Sequence, residues 1–365
     1  MPRISAKLAQ QRGCVQAAMA GYGHRHPSVT VIVRAHDAAA TLNRALNCLA
    51  AQTLRGLQVL VVDAVSTDET KRMLATAEER DAMLECLHID SDSATDCFNL
   101  GLQRAEGTYA FLMDATDTLA PRTLEELYEV AEEGSLDLAM AAVANNARQV
   151  AADGPSPYVY ADDDAFHAEA WKYFDAGLLP FPCGKLFRMD RVRKSGAKFA
   201  SDGGTAFMAA FLMDAHGVAY VRDAIYNAGD FCLSASLAWD LSHCWTDEHE
   251  QDLLDNLFAH WGMDEDSQTR RMLQRRYVTN VITTIVSTCS PACDLSEDEK
   301  RAHVERIITS DKTQKIASEA APWSGVVRAM LMPIRRKDVD LAMGEGRIIS
   351  WISRHTTSLG SQLFS

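Results

Sequence analysis

Two aspartates, Asp63 and Asp114, each follow a short apolar run, LQVLVV (57–62) and TYAFLM (108–113), and a third run, VTVIV (29–33), leads into Arg34-Ala35-His36-Asp37. In an open parallel sheet the connections leave the strands at one edge, and ligands bind outside the carboxyl ends of the strands. Carboxylates gathered at such an edge can hold a metal bound to a diphosphate, or accept hydrogen bonds from a base and a ribose. Their plainer use is to cap the turns that follow the strands.

The elements that must position these groups alternate along the first half of the chain. Between the first two runs, Leu42, Ala45, Leu46 and Leu49 recur at helical spacing. A second helix is expected to open at Ser66-Thr67-Asp68-Glu69, where Ser-x-x-Glu fits a capping box, and LECLHI (84–89) follows as a strand. Asp96 to Ala105 reads as a helix and TYAFLM as the fourth strand. Pro121 suits the first turn of LEELYEVAEE, and LDLAMAAV (136–143) is a fifth strand. Such alternation implies an α/β fold with a mostly parallel sheet flanked by helices. Residues 144–182, polar and carrying Asp162-Asp163-Asp164, read as an insertion or acceptor-side loop, the acidic run being either solvated or a metal or acceptor contact. KLFRMDRVRKSGAKF and AFMAAFLMDAHGVAYVRDAIYNAG resume helix and strand to about residue 230. The remainder reads as mainly helical, with Trp245, Leu253, Leu254, Leu257 and Trp261 on one face. The expected division is an N-terminal extension (1–26), an α/β domain (27–230) and a helical C-terminal region (231–365).

Composition narrows the function classes. The 365 residues, 47% hydrophobic, can bury a sizeable core, and the formal net charge is −14. From Arg301 onward ten Lys+Arg face six Asp+Glu, which leaves the first 300 residues at −18. An acidic body argues against nucleic acid as a partner, since neutralising phosphates needs a basic face. Nine scattered cysteines without a CxxC pair read as reduced thiols in a cytoplasmic protein; Cys289 and Cys293 fit ordinary packing better than a metal site. The first 26 residues lack a signal-peptide core, and no apolar run is long enough to span a bilayer. The stretch after the first strand lacks the glycines of a dinucleotide fold, and no GxxxxGK[ST] loop occurs.

Taken in order, VIVRAHDAAATL, VVDAVSTD and CFNLGLQRAEGTYAFLMDATD resemble the ordered motifs of glycosyltransferase family 2, whose fold is GT-A, over roughly residues 27–230. The resemblance implies inverting transfer of a sugar from a nucleotide diphosphate donor to an acceptor hydroxyl of a polysaccharide or glycoconjugate. It places Ala35, His36 and Asp37 in the first turn against the donor, with Asp37 and Asp63 along base and ribose. Asn99 falls in a donor-binding motif, and Asp114 near ribose, diphosphate or metal; Asn99 and its neighbour Gly101 can equally shape the start of a helix. A divalent cation, Mn or Mg, would lie at Asp114 and Asp117.

Departures fall on the chemistry. Ala64 stands where the family has a second Asp and Phe98 where it has Arg. Thr116 replaces the metal-contacting carboxylate, and a hydroxyl is a poor ligand for a hard cation. The family's Glu-Asp pair, whose Asp is the base, aligns on Gly203-Gly204, which makes the adjacent Asp202 the candidate base. Lys185 is a candidate contact for an acidic group. Two readings follow: an active transferase, or a GT-A-like protein that has lost catalysis and serves as a binding or assembly partner.

The C-terminal tail adds a further expectation. Ile348, Ile349 and Ile352 line one side of a helix with Arg347, Ser350 and Arg354 away from them, and VVRAMLMPIRRK lies upstream. That pattern suits an anionic membrane surface at the inner face, carrying a lipid-linked acceptor, or packing on the protein or on a second copy in a homo-oligomer.

Overall fold

The computed structural model describes residues 26–81, 83–144, 149–150, 156–160, 162–200, 204–229 and 247–355. In chain order the first elements are β1 (Val29–Ala35), α1 (Leu42–Ala50), β2 (Leu57–Ala64), α2 (Thr70–Glu78), β3 (Leu84–Ile89), α3 (Ala94–Arg104), β4 (Tyr109–Asp114) and β5 (Thr118–Leu119). Then come α4 (Thr123–Glu133), β6 (Leu138–Ala144), β7 (Gln149–Val150), β8 (Tyr158–Val159), α5 (Asp163–Asp175), β9 (Lys185–Arg188), α6 (Met189–Ser195), α7 (Thr205–Leu212) and β10 (Val218–Asn227).

Every residue of β1 and β4 is buried. That is why both read as unbroken apolar runs: a parallel strand covered on both faces has no solvent side to mark with polar residues. The sheet order is β3-β2-β1-β4-β9-β6-β10-β5, with β7 on β6 and β8 on β10. The β3-β2-β1-β4 ladders are parallel, as is β6 with β10. Between these blocks β9 runs antiparallel to both neighbours, so the sheet is mixed where the sequence suggested mostly parallel pairing. The segment expected as a loop contains α5, whose buried Phe166, Ala170, Tyr173 and Phe174 pack it into the main core.

Helix α2 begins at Thr70, and its N-cap, Glu69, makes no side-chain cap bond. The capping box expected at Ser66 does not form; the Asp68 carboxylate accepts from Thr70 N at 2.9 Å instead. Helix α3 presses on β1 through Gly101, where an added Cβ would lie 2.2 Å from Ile32 Cγ2. Gly101 therefore sets the spacing of helix and sheet from mid-helix. Beside it Phe98 packs against Phe199 at 5.2 Å, and Phe199 stacks on Phe207 at 4.4 Å, so the residue that replaces the family's Arg belongs to an aromatic core.

The helices that follow are α8 (Asp247–His260), α9 (Ser267–Thr288), α10 (Glu297–Thr309), α11 (Asp311–Glu319), α12 (Gly325–Arg336) and α13 (Val339–His355). The main core continues into them through Leu254, Leu257, Phe258, Trp261, Met272 and Leu273. A second core joins α9 to α13. Trp245, expected on the α8 face, lies outside the described residues. On α13 the buried side carries Ala342, Met343, Ile349 and Ser350, while Ile348 and Trp351 are exposed, which corrects the expected grouping of Ile348 with Ile349. Gly346 lies on that side, where an added Cβ would stand a tight 3.2 Å from Cys289 Sγ and Ile285 Cγ2. Arg335 of the basic stretch is spent on the carbonyls of Ala317 and Ala320. Among the described residues no helix is long and apolar enough to cross a membrane.

The Gly101 contact yields a stability test. Gly101→Ala should destabilise the protein by about 1–3 kcal/mol through overpacking. A chemical-denaturation midpoint measures it, and Ile32→Ala in the same chain should restore part of the loss.

Candidate functional site

The chain moves outward from β1 to β2 and β3, then returns to place β4 on the other side of β1. The crevice where connections diverge is therefore at the carboxyl ends of β1 and β4. Arg34 and Asp114 stand level there, Nη1 to Oδ2 at 2.9 Å, both nearly fully buried. Asp114 Oδ1 accepts from Thr116 N at 3.0 Å and from the Thr116 hydroxyl at 2.9 Å. Asp117 is equally occupied: Oδ2 accepts from Asp114 N at 2.8 Å and from the Tyr226 hydroxyl, and Oδ1 accepts from Gly229 N at 2.6 Å. Arg44, exposed on the first turn of α1, donates to Thr116 O at 3.0 Å.

Asp63 lies elsewhere. Ala35 is level with Asp63, whereas Arg34 is level with Asp114. Side chains alternate along a strand, so the two carboxylates point to opposite faces of the sheet. Asp63 is fully buried, with Oδ2 3.2 Å from His88 Nδ1 and 4.0 Å from Lys71 Nζ, while Oδ1 has no hydrogen-bond donor among the described residues. His88 and Lys71 are each more than half exposed.

Ala35 ends β1, His36 and Asp37 open the turn to α1, and this turn is laced to the one after β2. Asp37, at φ 43°, accepts through Oδ1 from Thr67 N at 2.7 Å, and its own N donates to Ser66 Oγ at 3.0 Å. Ala38 N donates to the Thr70 hydroxyl and Ala39 N to Asp68. His36 Nδ1 donates to Ala64 O at 2.6 Å, which fixes the ring across both turns. The Thr67 amide beside Asp37 holds its carboxyl below the usual 3.8.

Asn99 exchanges two hydrogen bonds with the Phe199 backbone, at 3.0 and 2.9 Å, and Thr95 bonds Ala200 O. Helix α3 thus fixes the backbone at Phe199 and Ala200. Asp202 itself lies outside the described residues. Gly204, just beyond, takes φ 111° with Pro182 3.2 Å from where a Cβ would stand. Thr205 next to it donates to Glu250 of α8, which also pairs with Arg276 of α9. Lys185 Nζ bonds the carbonyls of Phe181 and Cys183. Of the acidic run, Asp162 caps α5, and Asp163 clips His216 and Gly217, whose hydrogen bonds outweigh desolvation and lower its pKa. Cys289 and Cys293 are buried packing residues.

A divalent cation at Asp114 and Asp117 does not fit this donor set. The oxygens already accept hydrogen bonds inside a site only 2% and 0% exposed, and the Arg34 guanidinium lies against one of them. A hard cation seeks six or more free oxygen ligands and would meet like charge at close range. Among the described residues no group of three or more His, Cys, Asp or Glu is placed to hold a metal ion. Sequence reasoning did not single out Arg44, Tyr226 or Thr67's contact with Asp37; their signal is the pairing of distant loops, which a single sequence does not display.

The model for the family described as Glycosyl transferase family 2 matches residues 30–183. An uncharacterized glycosyltransferase, EpsJ of Bacillus subtilis, is 25% identical over 31% of this chain and 33% of its own length. The succinoglycan biosynthesis protein ExoO of Rhizobium meliloti is 28% identical over 37% of this chain and 38% of its own. The chain thus spans little more than a third of these relatives. In structure, S. aureus TarS 1-349 in complex with UDP-GlcNAc superposes with a TM-score of 0.59 at 17% identity, covering 90% of this chain and 92% of that one. A Pyrobaculum calidifontis mannosyltransferase, solved with GDP-Man and Mn2+, gives 0.50 at 14% identity, covering 90% and 88%. These likenesses establish the GT-A fold.

Two outcomes follow from the geometry. Arg34→Met should cost about 3–5 kcal/mol by stranding a buried carboxylate. Adding Asp114→Leu should recover much of that in chemical denaturation, and an equal or larger loss in the double variant would show the pair uncoupled. Asp37 has a depressed folded pKa, so its contribution is complete above 3.8 and is lost only as pH falls through the lower folded value. The Thr67 amide should therefore stay protected from hydrogen exchange at pH 3.8 and open below it.

Proposed function

We propose, from the match of residues 30–183 to the model for glycosyl transferase family 2, that the chain transfers a sugar from a nucleotide diphosphate sugar to a hydroxyl of a polysaccharide or glycoconjugate acceptor. Transfer proceeds with inversion: the acceptor oxygen bonds to the anomeric carbon as the bond to the diphosphate breaks. The diphosphate leaves with the bonding electrons, and the acceptor's proton goes to a base, in this reading Asp202.

The observation that carries the proposal is Asp63. A buried carboxylate oxygen without a donor is costly, and such a group calls for a partner that arrives from outside. It stands at the carboxyl end of β2, beside the laced turns of Ala35, His36 and Asp37, next to the half-exposed side chains of His88 and Lys71. An N–H of a nucleobase or a hydroxyl of a ribose satisfies it. Asn99 holds the backbone of Phe199, which precedes Asp202 in the sequence.

A noncatalytic binding role is the second reading, and Gly204 favours it. At φ 111° with Pro182 against it, that position does not readily take the acidic residue of the family.

Calorimetric titration with UDP, UDP-GlcNAc, GDP and GDP-mannose tests the proposal. At least one should bind, and Asp63→Asn should weaken that binding about tenfold by removing a charged acceptor. Release of nucleoside diphosphate in the presence of acceptor, lost in Asp202→Asn, separates catalysis from binding alone. If a folded protein binds none of the four, the transferase reading fails.

A further inference from the structure

The donor set at the carboxyl end of β4 turns away a divalent cation, yet a departing diphosphate needs positive charge near it. Two arginines occupy the places that matter. Arg34 neutralises Asp114 from within the sheet at 2.9 Å, so the carboxylate does not repel an incoming anion. Arg44 is anchored on the backbone oxygen of Thr116, the residue that stands where the resemblance puts the metal-contacting carboxylate. Only its Nη2 is engaged among the described residues; the rest of this exposed guanidinium faces outward from the first turn of α1. Thr116 is itself held, its N and hydroxyl on Asp114 and its surroundings closed by Gly229, where a Cβ would fall 2.6 Å from Thr116 O. The anchor of Arg44 is therefore rigid, and a planar guanidinium with free N–H groups suits phosphate oxygens.

We propose that Arg44, anchored on Thr116, supplies to a diphosphate the charge that a divalent cation would otherwise supply, so that this site binds diphosphates without metal. The proposal rests on the donor-binding reading above for its biological meaning, but its test is separate.

Binding of inorganic pyrophosphate, and of UDP and GDP, is measured by calorimetry in EDTA and again in MnCl2, with manganese binding followed by electron paramagnetic resonance. Pyrophosphate should bind in EDTA with an affinity that manganese changes less than about threefold. Arg44→Gln, an exposed substitution with little bearing on folding, should weaken it about tenfold or more. Stoichiometric manganese binding, a tenfold gain with manganese, or full affinity in Arg44→Gln would each overturn the proposal, as would failure of pyrophosphate to bind in EDTA. If pyrophosphate binds as expected but neither nucleotide does, the inference stands and the nucleotide-donor reading falls.

Discussion

The register of β1 between β2 and β4 is the constraint on which the site depends. It sets Arg34 level with Asp114 and Ala35 level with Asp63. One carboxylate is thereby matched with a buried cation and the other is not. A shift of one residue would exchange the faces and bury Arg34 against the wrong layer. Burying an ion pair is not in itself a gain in stability, because desolvation offsets attraction. What the pair contributes is a fixed arrangement at the switch point, from which the Thr116–Asp117 turn, Tyr226 and Gly229 are hung.

Charge is distributed differently at the two ends of this edge. At β4 every acidic oxygen has a donor from the protein, and the exposed group is a guanidinium. At β2 the Oδ1 of Asp63 is left without a donor among the described residues, and the groups beside its other oxygen, Lys71 and His88, are each a little more than half exposed. A ligand with an anionic end and a hydrogen-bond-donating end matches that polarity. The C-terminal helices bear on the arrangement through Glu250, which ties Thr205 at the start of α7 to Arg276.

The parallel strands were legible because burial on both faces removes alternation and leaves apolar runs that a reader can mark. Strand β9 was not: KLFR is four residues long with a basic residue at each end, and its direction is decided by β4 and β6. Helix α5 was hidden because its acidic start resembles a loop until Asp162 is seen to cap it. On α13 both flanks are apolar, so the sequence offers no choice of face; in the structure Gly346 lies on the buried side, tight against Cys289. At the site, the identity of Asp63 and Asp114 as strand-end residues was readable, whereas their opposite orientations followed only from the register. The partner of Asp114 is 80 residues away in the chain, and no local pattern points to it.

The lacing of the two turns has a consequence for how this edge can vary. Asp37 N and Ser66, Asp37 Oδ1 and Thr67, Ala38 N and Thr70, Ala39 N and Asp68 are reciprocal partners across 28 or more residues of chain. Each turn closes a few bonds of its own, Thr41 N on Ala38 O and Thr70 N on Asp68 Oδ1, but the Asp37, Ala38 and Ala39 amides are satisfied only from the other turn. An insertion in one would strand polar groups in the other, so their lengths are bound to change together or not at all. The pair behaves as a single inherited part, and diversification of what this edge accepts must come from side chains on a frame of fixed size.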